Sequence, residues 1–565
     1  MSSNQNSLVG IDKLGRKVEA VRYEDNGKQV GCFFWMWIGQ PYASGVWDAT
    51  EILKRENGAD ILYHQDNKEI SPDGQAHWWG KPLWGYYNSD DKWVIRKQLE
   101  MLASAGVDFI YFDATNTLTY PNVYLRIMEA IHEMLQEGSN PPKCAFYTHT
   151  HSIATMRTLY RDLYSKGLYS DTWYRVDGKP FIIAFESAEA DMIAEEITMR
   201  RRTSYNPGPL EPEIKDFFYF RRPQWPTNDT VYPDGFPWVE WIYPQPIHTD
   251  VMNVTVGSHP NVPMSFTRTR GLENWGRGWD PEKKVNVPEK CEEGSFFQLQ
   301  WDNAIANRDK LKTVSVGGWN EWIAYKQLYD GEYMLCDAAD MELSRDIEPM
   351  EGGYEDNFYL QLIRNVRRFK EGDKALAAYG VHKKCDIEQP ASFEGAQEYS
   401  KVGQKPFARC ARGCTRELRY EEPAARNTLN RVRAANNSEN IWFALEAYDG
   451  FKPYSVCDNT CLYIGTGTPE DKGYYSYEYM LRRTGKEEMT LYRLNAAGEA
   501  EEAGRLECRC NEGVLTFAVK RSIFGDCRSI YFKATDSVVM DDIMKTYTTG
   551  SAMPMGRLSY LYELV

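Results

Sequence analysis

Short apolar runs recur along the first 325 residues, and most of them are followed by a segment with helical spacing. The runs predict eight strands, at residues 30–38, 107–116, 143–152, 180–187, 216–225, 238–246, 251–260 and 313–322. The segments between them predict helices at residues 90–106, 122–138, 154–167 and 296–311. Continuous apolar strands that alternate with helices are typical of a parallel sheet buried on both faces.

The number of predicted strands favours a closed sheet. An open doubly wound sheet usually carries a glycine-rich phosphate loop after its first strand, and none follows residue 38. Eight strands over about 325 residues fit a (β/α)8 barrel, and the amphipathic end of residues 341–372 supplies a closing helix. We therefore predict an α/β fold built on a (β/α)8 TIM-like barrel.

The last third of the chain has a different pattern. Residues 426–565 contain short β-rich runs separated by turn signals, which predicts a C-terminal antiparallel β-sandwich domain. The segment before it, residues 376–425, is polar and irregular, as expected of a linker or a wrapping segment. The barrel then spans residues 29–375, and residues 1–28 form an N-terminal extension.

Charge narrows the classes of partner. The formal net charge is −15 and no dense run of Lys or Arg occurs, so a nucleic acid would be repelled. The N-terminus lacks a basic segment followed by an apolar one, and no apolar run reaches 18 residues. We expect neither nucleic acid nor a membrane as partner, and a cytoplasmic protein unless a leader was removed; the oligomeric state stays open.

The twelve cysteines show no pattern of metal ligands. Free, mostly buried thiols are the expectation, with no metal site and no cofactor. Three close pairs lack both CxxC spacing and a neighbouring histidine: Cys410/Cys414, Cys457/Cys461 and Cys508/Cys510.

In a barrel of this kind the functional side chains lie at the carboxyl ends of the strands. The predicted strands end on polar groups there: Asp113, Asn116, His149, His151, Glu186, Glu240, His259, Asn320 and Glu321. Aromatic residues make up 14% of the chain, which suits stacking on sugar rings. Hydrolysis of a glycosidic bond needs two carboxyl groups, one protonated and one ionised. Four are candidates: Asp113, Glu186, Glu240 and Glu321.

Glu321 is the first of these candidates. It follows two glycines that permit close approach, and it lies between Trp319 and Trp322, which we expect to wall the site and to raise the pKa of the carboxyl. A raised pKa suits a general acid or a base at neutral pH. The alternative is a glutamate that caps the next helix.

The other candidates also have structural alternatives. Asp113 ends an apolar strand, where it serves catalysis or sugar binding, or caps the following helix. Glu186 also fits an acidic helix start. His149 and His151 alternate along one strand, so we expect them to share a face and to bind sugar hydroxyls, or a metal together with Asp113. The aromatic segment at residues 77–91, with Tyr86 and Tyr87, either stacks on sugar or packs the barrel mouth.

These motifs resemble the glycoside hydrolase family 71 and family 99-like superfamily. The segment "GGWNEWIAYKQ" carries most of the resemblance, which covers about residues 28–372 and is helped by "GYYNSDDKWVIRKQLEMLASAGVDFIYFDATN" and "ELSRDIEPMEGGYEDNFYLQLIRNVRRFK". Family 99 mannosidases carry Asn-Glu-Trp-His-Glu-Gly here, with two catalytic glutamates three residues apart. The first corresponds to Glu321, and the second position is Ala324 in this chain.

The resemblance implies a glycoside hydrolase whose proton donor comes from another strand end, Asp113 or Glu186. The expected activity is cleavage of an O-glycosidic bond in an oligosaccharide or polysaccharide, with Glu321, Asp113 and Glu186 as the catalytic candidates. The expected substrate-binding residues are Asn320, Trp319, Trp322, Asn116, His149, His151, Tyr86, Tyr87 and Glu240. Residues 426–449 resemble sandwich modules found beside sugar-active barrels, which leaves carbohydrate binding and plain packing both open.

Two alternatives from other classes remain at this point. Loss of the second glutamate would suit a non-catalytic carbohydrate-binding protein that derives from a hydrolase barrel. A metal-dependent carbohydrate-active enzyme is the other alternative. A second carboxylate close to Glu321 would favour a hydrolase.

Overall fold

The computed structural model describes residues 7–22, 26–39, 45–227, 230–371, 379–401, 405 and 407–565. Within these ranges, eight parallel strands form one sheet, and a short antiparallel strand, Arg175–Val176, pairs with the strand Lys179–Ile183. The parallel strands are β1 (Gln29–Phe34), β2 (Phe109–Asn116), β3 (Lys143–Thr150), β4 (Lys179–Ile183), β5 (Tyr219–Gln224), β6 (Gly235–Pro237), β7 (Val251–Val254) and β8 (Thr313–Val316). The hydrogen-bonded order is β6-β5-β4-β3-β2-β1-β8-β7.

Side chains join the two edge strands of this sheet. Asn253 of β7 donates from Nδ2 to the carbonyl oxygen of Trp238, just after β6, at 3.0 Å. Ser315 of β8 donates to the carbonyl oxygen of Pro237 at 2.6 Å. These bonds bring the edges together, and the fold is a TIM-like barrel, as the strand pattern predicted.

The sixth strand is shorter and earlier than its predicted range. It covers Gly235–Pro237, so the prediction of a strand at residues 238–246 was wrong. That apolar run contains Pro244 and Pro246, which have no amide hydrogen for a sheet ladder. Trp238, Val239 and Glu240 are nevertheless buried, so burial gave a strand-like pattern to a loop.

Helices surround the sheet. The four predicted helices are present at Lys92–Ser104, Pro121–Gln136, Ser152–Leu159 with a π-helical turn at Tyr160–Tyr164, and Ser295–Ala306, and the closing helix is Asn357–Glu371. The shorter or additional helices are Ala49–Leu53, Gly58–Tyr63, Ala188–Met199, Pro212–Phe217, Phe266–Arg270 and Lys545–Thr548. No helix in the described ranges is long and apolar enough to cross a membrane.

Large aromatic side chains fill the barrel interior. Phe33, Tyr111 and Tyr147 contact one another from β1, β2 and β3, with ring centroids 5.5 to 6.4 Å apart. The buried hydroxyls have partners: Tyr111 shares a 2.6 Å hydrogen bond with Ser315, and Tyr147 donates to the carbonyl oxygen of Phe236 at 2.9 Å. A filled interior leaves only the ends of the barrel for a ligand.

A second sheet, antiparallel, holds most of the chain after residue 396. Its thirteen strands in the described ranges include Leu8–Ile11 and Lys17–Val18 from the N-terminal extension. The others are Gln397–Ser400, Leu429–Asn436, Asn440–Ala447, Cys461–Thr466, Tyr479–Arg483, Glu488–Leu494, Ala500–Asn511, Val514–Lys520, Ser529–Asp536, Ser551–Met553 and Leu558–Glu563. Phe443 and Phe532 from non-adjacent strands lie 5.5 Å apart, so this sheet packs against itself.

Smaller antiparallel units complete the fold. A three-stranded sheet combines Ala76–Trp78, Ile323–Tyr329 and Glu332–Leu335, directly after the segment that follows β8. Two hairpins are formed by Trp279–Asp280 with Val285–Asn286 and by Arg409–Arg412 with Arg419–Glu422.

Buried charges hold the C-terminal sheet against the barrel. Arg557 contacts the carboxylates of both Asp356 and Glu355 at the start of the closing helix. The hydroxyl of Tyr547 donates to Asp356 at 3.1 Å. The Asp356 side chain is fully buried, so it depends on these partners for its charge.

We expect Arg557→Met to destabilise the protein by about 3–5 kcal/mol, because it leaves Asp356 buried and unpaired. The measurement is urea unfolding followed by tryptophan fluorescence. Arg505→Met is the matched control, since Arg505 makes an exposed, solvent-screened pair with Glu502, whose loss should change stability little. Equal stability of the two variants would show that this contact does not hold the sheets together.

Candidate functional site

Two glycines bring the chain from β8 to the mouth of the barrel. A Cβ on Gly317 would lie 2.8 Å from the Thr255 side chain and 2.9 Å from the carbonyl oxygen of Trp238, so a larger residue does not fit. The main chain then turns against β1, where Trp319 donates its amide to the carbonyl oxygen of Phe33 at 3.0 Å. The glycines thus act through close backbone approach, as the sequence predicted.

Asn320 fastens this segment to the end of β1. Its Oδ1 accepts the amide of Trp35 at 2.9 Å, and its Nδ2 donates to the carbonyl oxygen of the same residue at 3.3 Å. The next amide, from Glu321, donates to Oδ1 of Asp346 at 2.6 Å. These contacts are structural, so Asn320 orients Glu321 through the backbone, and its predicted sugar contact stays a prediction.

The two indoles beside Glu321 point into the core. Trp322 is fully buried and stacks on Trp79 with ring centroids 4.3 Å apart, and Trp319 is fully buried with its ring edge-on to Tyr359 at 6.3 Å. The expectation that they wall the site was therefore wrong. Residues 317–322 are not a strand, so strand alternation does not apply to them, and all three side chains are buried, with Glu321 in contact with Arg345.

The Glu321 carboxyl group contacts a buried arginine. Arg345 donates from Nε to Oε2 of Glu321 at 2.8 Å, and its Nη2 lies 2.5 Å from the same oxygen. Both side chains are 1% exposed. The other oxygen, Oε1, is buried and has no hydrogen-bond partner within the described part of the chain.

The same guanidinium also contacts Asp337 and His259. Oδ1 of Asp337 lies 3.3 Å from Nη2 of Arg345 and 3.5 Å from Nε2 of His259, while Nη1 of Arg345 donates to Nδ1 of His259 at 3.0 Å. Because Glu321 and Asp337 contact one nitrogen atom, their two oxygens lie within about 6 Å of each other, a separation seen for paired catalytic carboxyl groups.

Sequence reasoning missed Arg345 and Asp337. Both follow the antiparallel hairpin at residues 323–335, and neither ends a barrel strand. For Arg345 the available signal was its place beside Asp346 in "MELSRDIEP", a stretch that has no periodicity, and that stretch does not contain Asp337. A rule that searches strand ends alone cannot find residues that a later loop returns to the mouth.

The surroundings of Glu321 favour its protonated form. Burial raises the pKa of this carboxyl well above its ordinary value, and the nearby carboxylates of Asp337 and Asp346 add to the shift, while Arg345 opposes it. Burial also raises the pKa of Asp346 to about 6, against the opposing charges of Arg277 and Arg345. Glu321 is thus the carboxyl group of this cluster whose environment most disfavours ionisation.

Asp113 lies at the same end of the barrel, on β2. Its Oδ1 accepts the amide and the hydroxyl of Thr115 at 3.0 and 2.7 Å. Burial raises its pKa, and the charge of Asp337 adds to the effect. The next helix begins only at Pro121, so the helix-cap alternative for Asp113 was wrong.

His149 of β3 and His151, which follows the strand, do not share a face. His149 is buried and stacks on Trp225 at 4.2 Å, and burial lowers its pKa to about 3, so the ring is neutral. His151 follows the strand with a positive φ of 55° and turns toward Glu195, at 3.3 Å, and the ring of Tyr205. The expected pairing was wrong because the strand ends before His151, and the two rings do not converge with Asp113 on a metal.

Other indoles line the mouth in place of Trp319 and Trp322. Trp225 lies 5.4 Å from Trp238, and the Arg345 guanidinium lies 4.7 Å from the Trp238 ring. On the opposite side, Trp37 lies 4.8 Å from Trp35 and stacks on Tyr325 at 5.6 Å. Flat apolar surfaces beside a carboxyl group suit the faces of sugar rings.

Several buried polar atoms at this end of the barrel have no hydrogen-bond partner among the described residues. They come from indole, imidazole and carboxyl groups that the ring contacts connect to one another. The atoms are Nε1 of Trp35, Nε1 of Trp238, Nε1 of Trp241, Nε2 of His149 and Oε1 of Glu321. Each such group costs about 1–3 kcal/mol if it stays unpaired, so bound water or a polar ligand is expected at these atoms.

Three candidate residues lie apart from this cluster. Glu186 is 46% exposed and forms an ion pair with Lys215 at 3.3 Å. Glu240 is buried, but its Oε1 lies 2.7 Å from Nε2 of the buried His248. Asn116 is exposed at the end of β2. None of these placements shows a catalytic contact, so their roles stay predictions.

The aromatic segment at residues 77–91 packs inside the protein. Tyr86 donates to Asp48 at 2.9 Å, and Tyr87 donates to Glu348 at 2.9 Å. Trp84, Gln98 and Trp322 also donate to this buried carboxyl group, whose pKa burial raises to about 7. These contacts favour the packing alternative over sugar stacking for Tyr86 and Tyr87.

Ala324 does not face the mouth. It lies on the strand Ile323–Tyr329 opposite His77, and its methyl group packs in a small apolar cluster. The other buried members of this cluster are Ala49, Ile52, Leu62, Tyr63 and Leu335. The position that holds the second glutamate in family 99 is therefore part of a local core in this chain.

One cluster next to Glu321 has donor atoms of the kinds that bind metals. His259, Cys336 and Asp337 place one such atom each within 4.8 Å of one another. Nδ1 of His259 accepts from Arg345, so Nε2 of the neutral ring carries the hydrogen and offers no lone pair. The adjacent guanidinium charge also opposes a cation, so we assign no metal here.

Comparison with known proteins gives only distant matches. No protein-family model matches the chain, and the curated proteins contain no significant match. A GH99 endo-alpha-mannosidase from Bacteroides thetaiotaomicron, in complex with bis-Tris propane, is similar at 14% identity with a TM-score of 0.37, covering 61% of this chain and 98% of that one. A second structure of that enzyme is similar at 15% identity with a TM-score of 0.34, covering 61% of this chain and 99% of that one.

We expect Arg345→Met to make stability more sensitive to pH. Loss of the guanidinium raises the pKa of Glu321 further, so the folded state binds a proton that the unfolded chain releases above about pH 4.3. Stability then falls as the pH rises above 5 in both proteins, and in Arg345→Met the fall continues to a higher pH than in the wild type. The measurement is Tm from pH 5 up to the highest pH at which both proteins stay folded.

Arg345→Lys is the control for this prediction, because it keeps a positive charge at the same place. Its Tm should follow the pH dependence of the wild type more closely than that of Arg345→Met. Parallel curves for the wild type and Arg345→Met would show that Arg345 does not influence the ionisation of Glu321.

Proposed function

We propose that the chain is a glycoside hydrolase that cleaves an O-glycosidic bond in an oligosaccharide or polysaccharide at the mouth of its barrel. The observation that carries this proposal is the environment of Glu321. One carboxyl oxygen is held by Arg345, while the other is buried without a partner among the described residues, beside indoles and further unpartnered polar atoms. The likeness of "GGWNEW" to the family 71 and family 99-like superfamily supports the same class.

Sugars match this lining in two ways. Their ring faces are apolar enough to stack on Trp225, Trp238 or Trp37, and their hydroxyls both donate and accept hydrogen bonds. Neutral His149 and the indole N–H groups would then gain the partners they lack. The charge of the chain and the absence of a basic run also fit a neutral ligand.

Glu321 acts in this proposal as the general acid. Its raised pKa keeps a proton on Oε1, which transfers to the glycosidic oxygen as the bond from that oxygen to the anomeric carbon breaks. Water later supplies a hydroxyl group to the anomeric carbon and a proton to a carboxylate. Arg345 orients Glu321 through Oε2 and leaves Oε1 for the substrate.

The mechanism of family 99 does not transfer to this chain. That mechanism needs a second glutamate at the position of Ala324, which here packs in an apolar cluster. Asp113 is the partner expected from the sequence, and it remains a candidate because it lies at the same end of the barrel with a raised pKa. The sugar identity does not transfer either.

A non-catalytic carbohydrate-binding protein is the second candidate. The contact of Oε2 with Arg345 and the alanine at position 324 favour it, because both fit a barrel that has lost its acid and base pair. Such a protein would bind a glycan without releasing any product. Binding measured by calorimetry together with a product assay separates the two functions.

We expect Glu321→Gln to lower turnover of the active glycan by about 100-fold or more, since the amide cannot donate the acid proton. The measurement is release of new reducing ends from a panel of oligosaccharides and polysaccharides. Glu189→Gln is the matched control, because Glu189 is exposed on the helix Ala188–Met199. Full activity of Glu321→Gln would contradict the proposed role.

A further inference from the structure

We propose that Asp337 is the second catalytic carboxylate, the nucleophile of a retaining reaction, in place of the glutamate that Ala324 replaces. This inference rests on the proposed function and adds a residue that lies outside the barrel strands. Four features carry it: how the chain delivers Asp337, its distance from Glu321, its exposure, and the charge of the cluster around Arg345.

The hairpin after Glu321 returns the chain to the mouth. Ile323–Tyr329 pairs with Glu332–Leu335, so the chain leaves the mouth and comes back within about fifteen residues. The loop after β7 fixes the point of return, since Met264 donates its amide to the carbonyl oxygen of Cys336 at 2.7 Å. Leu335 donates its amide to the Ser265 hydroxyl at 3.0 Å. Asp337 thus has a fixed backbone next to Glu321.

The separation of the two carboxyl groups points to retention. Oε2 of Glu321 and Oδ1 of Asp337 lie within about 6 Å, because both contact Nη2 of Arg345. Retaining glycosidases place their two carboxyl groups about 5–5.5 Å apart, whereas inverting enzymes need about 6.5–9.5 Å to admit a water molecule. The upper limit of about 6 Å between these two oxygens lies below the inverting range, which favours direct attack by Asp337 on the anomeric carbon.

Exposure divides the two roles. Glu321 is 1% exposed, as suits an acid that must keep its proton, while the Asp337 side chain is 32% exposed. The Asp337 side chain is in partial contact with water and lies beside the Arg345 guanidinium. A buried acid beside a solvated carboxylate is an arrangement that separates the two functions by environment.

Charge balance supports the same division. Arg345 supplies one positive charge to two carboxyl groups, so ionising both would leave a net negative charge in a largely buried cluster. One retained proton removes that cost. It belongs on Glu321, because this side chain is 1% exposed whereas the Asp337 side chain is 32% exposed, and burial disfavours the charged form.

Asp113 fits this role less well. It is 2% exposed, and its Oδ1 already accepts two hydrogen bonds from Thr115. A carboxylate held by two such hydrogen bonds is suited to orienting a sugar hydroxyl. The ion contacts of Asp337 with Arg345 and His259 both use Oδ1, at 3.3 and 3.5 Å.

The reaction then balances in two steps. An Asp337 oxygen bonds to the anomeric carbon as the glycosidic bond breaks, and Glu321 gives its proton to the departing oxygen. Glu321 next takes a proton from water, whose oxygen bonds to the anomeric carbon and releases the Asp337 carboxylate. Two inversions at one carbon give net retention, and no oxidant or cofactor takes part.

The test compares Asp337→Asn with Glu321→Gln on the glycan that the wild type cleaves and on the matching dinitrophenyl glycoside. Asp337→Asn should lose about 10³-fold or more in kcat on both substrates, because the bond-forming group is gone. Glu321→Gln should recover glycosylation of the dinitrophenyl substrate, whose leaving group needs no proton. Azide should restore turnover of Asp337→Asn and give a glycosyl azide of inverted configuration.

Azide rescue separates a catalytic role from a structural one, since a misfolded variant yields no glycosyl azide. Asp330→Asn is the matched control, because Asp330 is exposed in the turn of the same hairpin. Asp113→Asn is compared in the same assay.

The inference is overturned if Asp337→Asn keeps the wild-type kcat, if azide rescues Asp113→Asn instead, or if NMR shows that the wild type first releases the inverted anomer. It is also overturned if Asp337→Asn is inactive and yields no glycosyl azide. If the wild type cleaves no glycan at all, the proposed function fails as well.

Discussion

The buried contact between Arg345 and Glu321 determines how the charged side chains are arranged at the carboxyl ends of the barrel strands. The guanidinium donates a hydrogen bond to one oxygen of Glu321, and the other oxygen has no partner among the described residues. It also contacts His259 and Asp337 and lies over the Trp238 ring. A single buried cation thereby contacts two carboxyl groups and opposes the rise in the pKa of Glu321 that burial causes.

The segment that supplies Arg345 also joins the two sheets. Asp346 accepts a hydrogen bond from the amide of Glu321. Glu348 accepts hydrogen bonds from core aromatic residues that include Trp322. About ten residues after Arg345, Glu355 and Asp356 pair with Arg557 of the C-terminal sheet. The mouth of the barrel and the docking of the C-terminal sheet therefore depend on one stretch of chain, and we expect changes in one to affect the other.

The fold was largely predictable from the sequence, and the site only in part. Buried parallel strands give strong apolar runs, but the run at residues 238–246 was misread because burial marks a loop as well as a strand. Glu321 was identifiable because it follows a strand and two glycines. The directions of Trp319 and Trp322 were not, since side-chain direction depends on local backbone turns that composition does not reveal. Arg345 and Asp337 were missed because tertiary folding brings them to Glu321.

The most direct test of this account is the ionisation state of Glu321 itself. Infrared difference spectra between the wild type and Glu321→Gln, recorded across a pH titration, isolate the carbonyl stretch of its protonated carboxyl group. The account predicts that this band persists at pH values where an ordinary glutamate is ionised, because burial and the neighbouring carboxylates raise its pKa. Loss of the band near the ordinary pKa of glutamate, about 4.3, would contradict it.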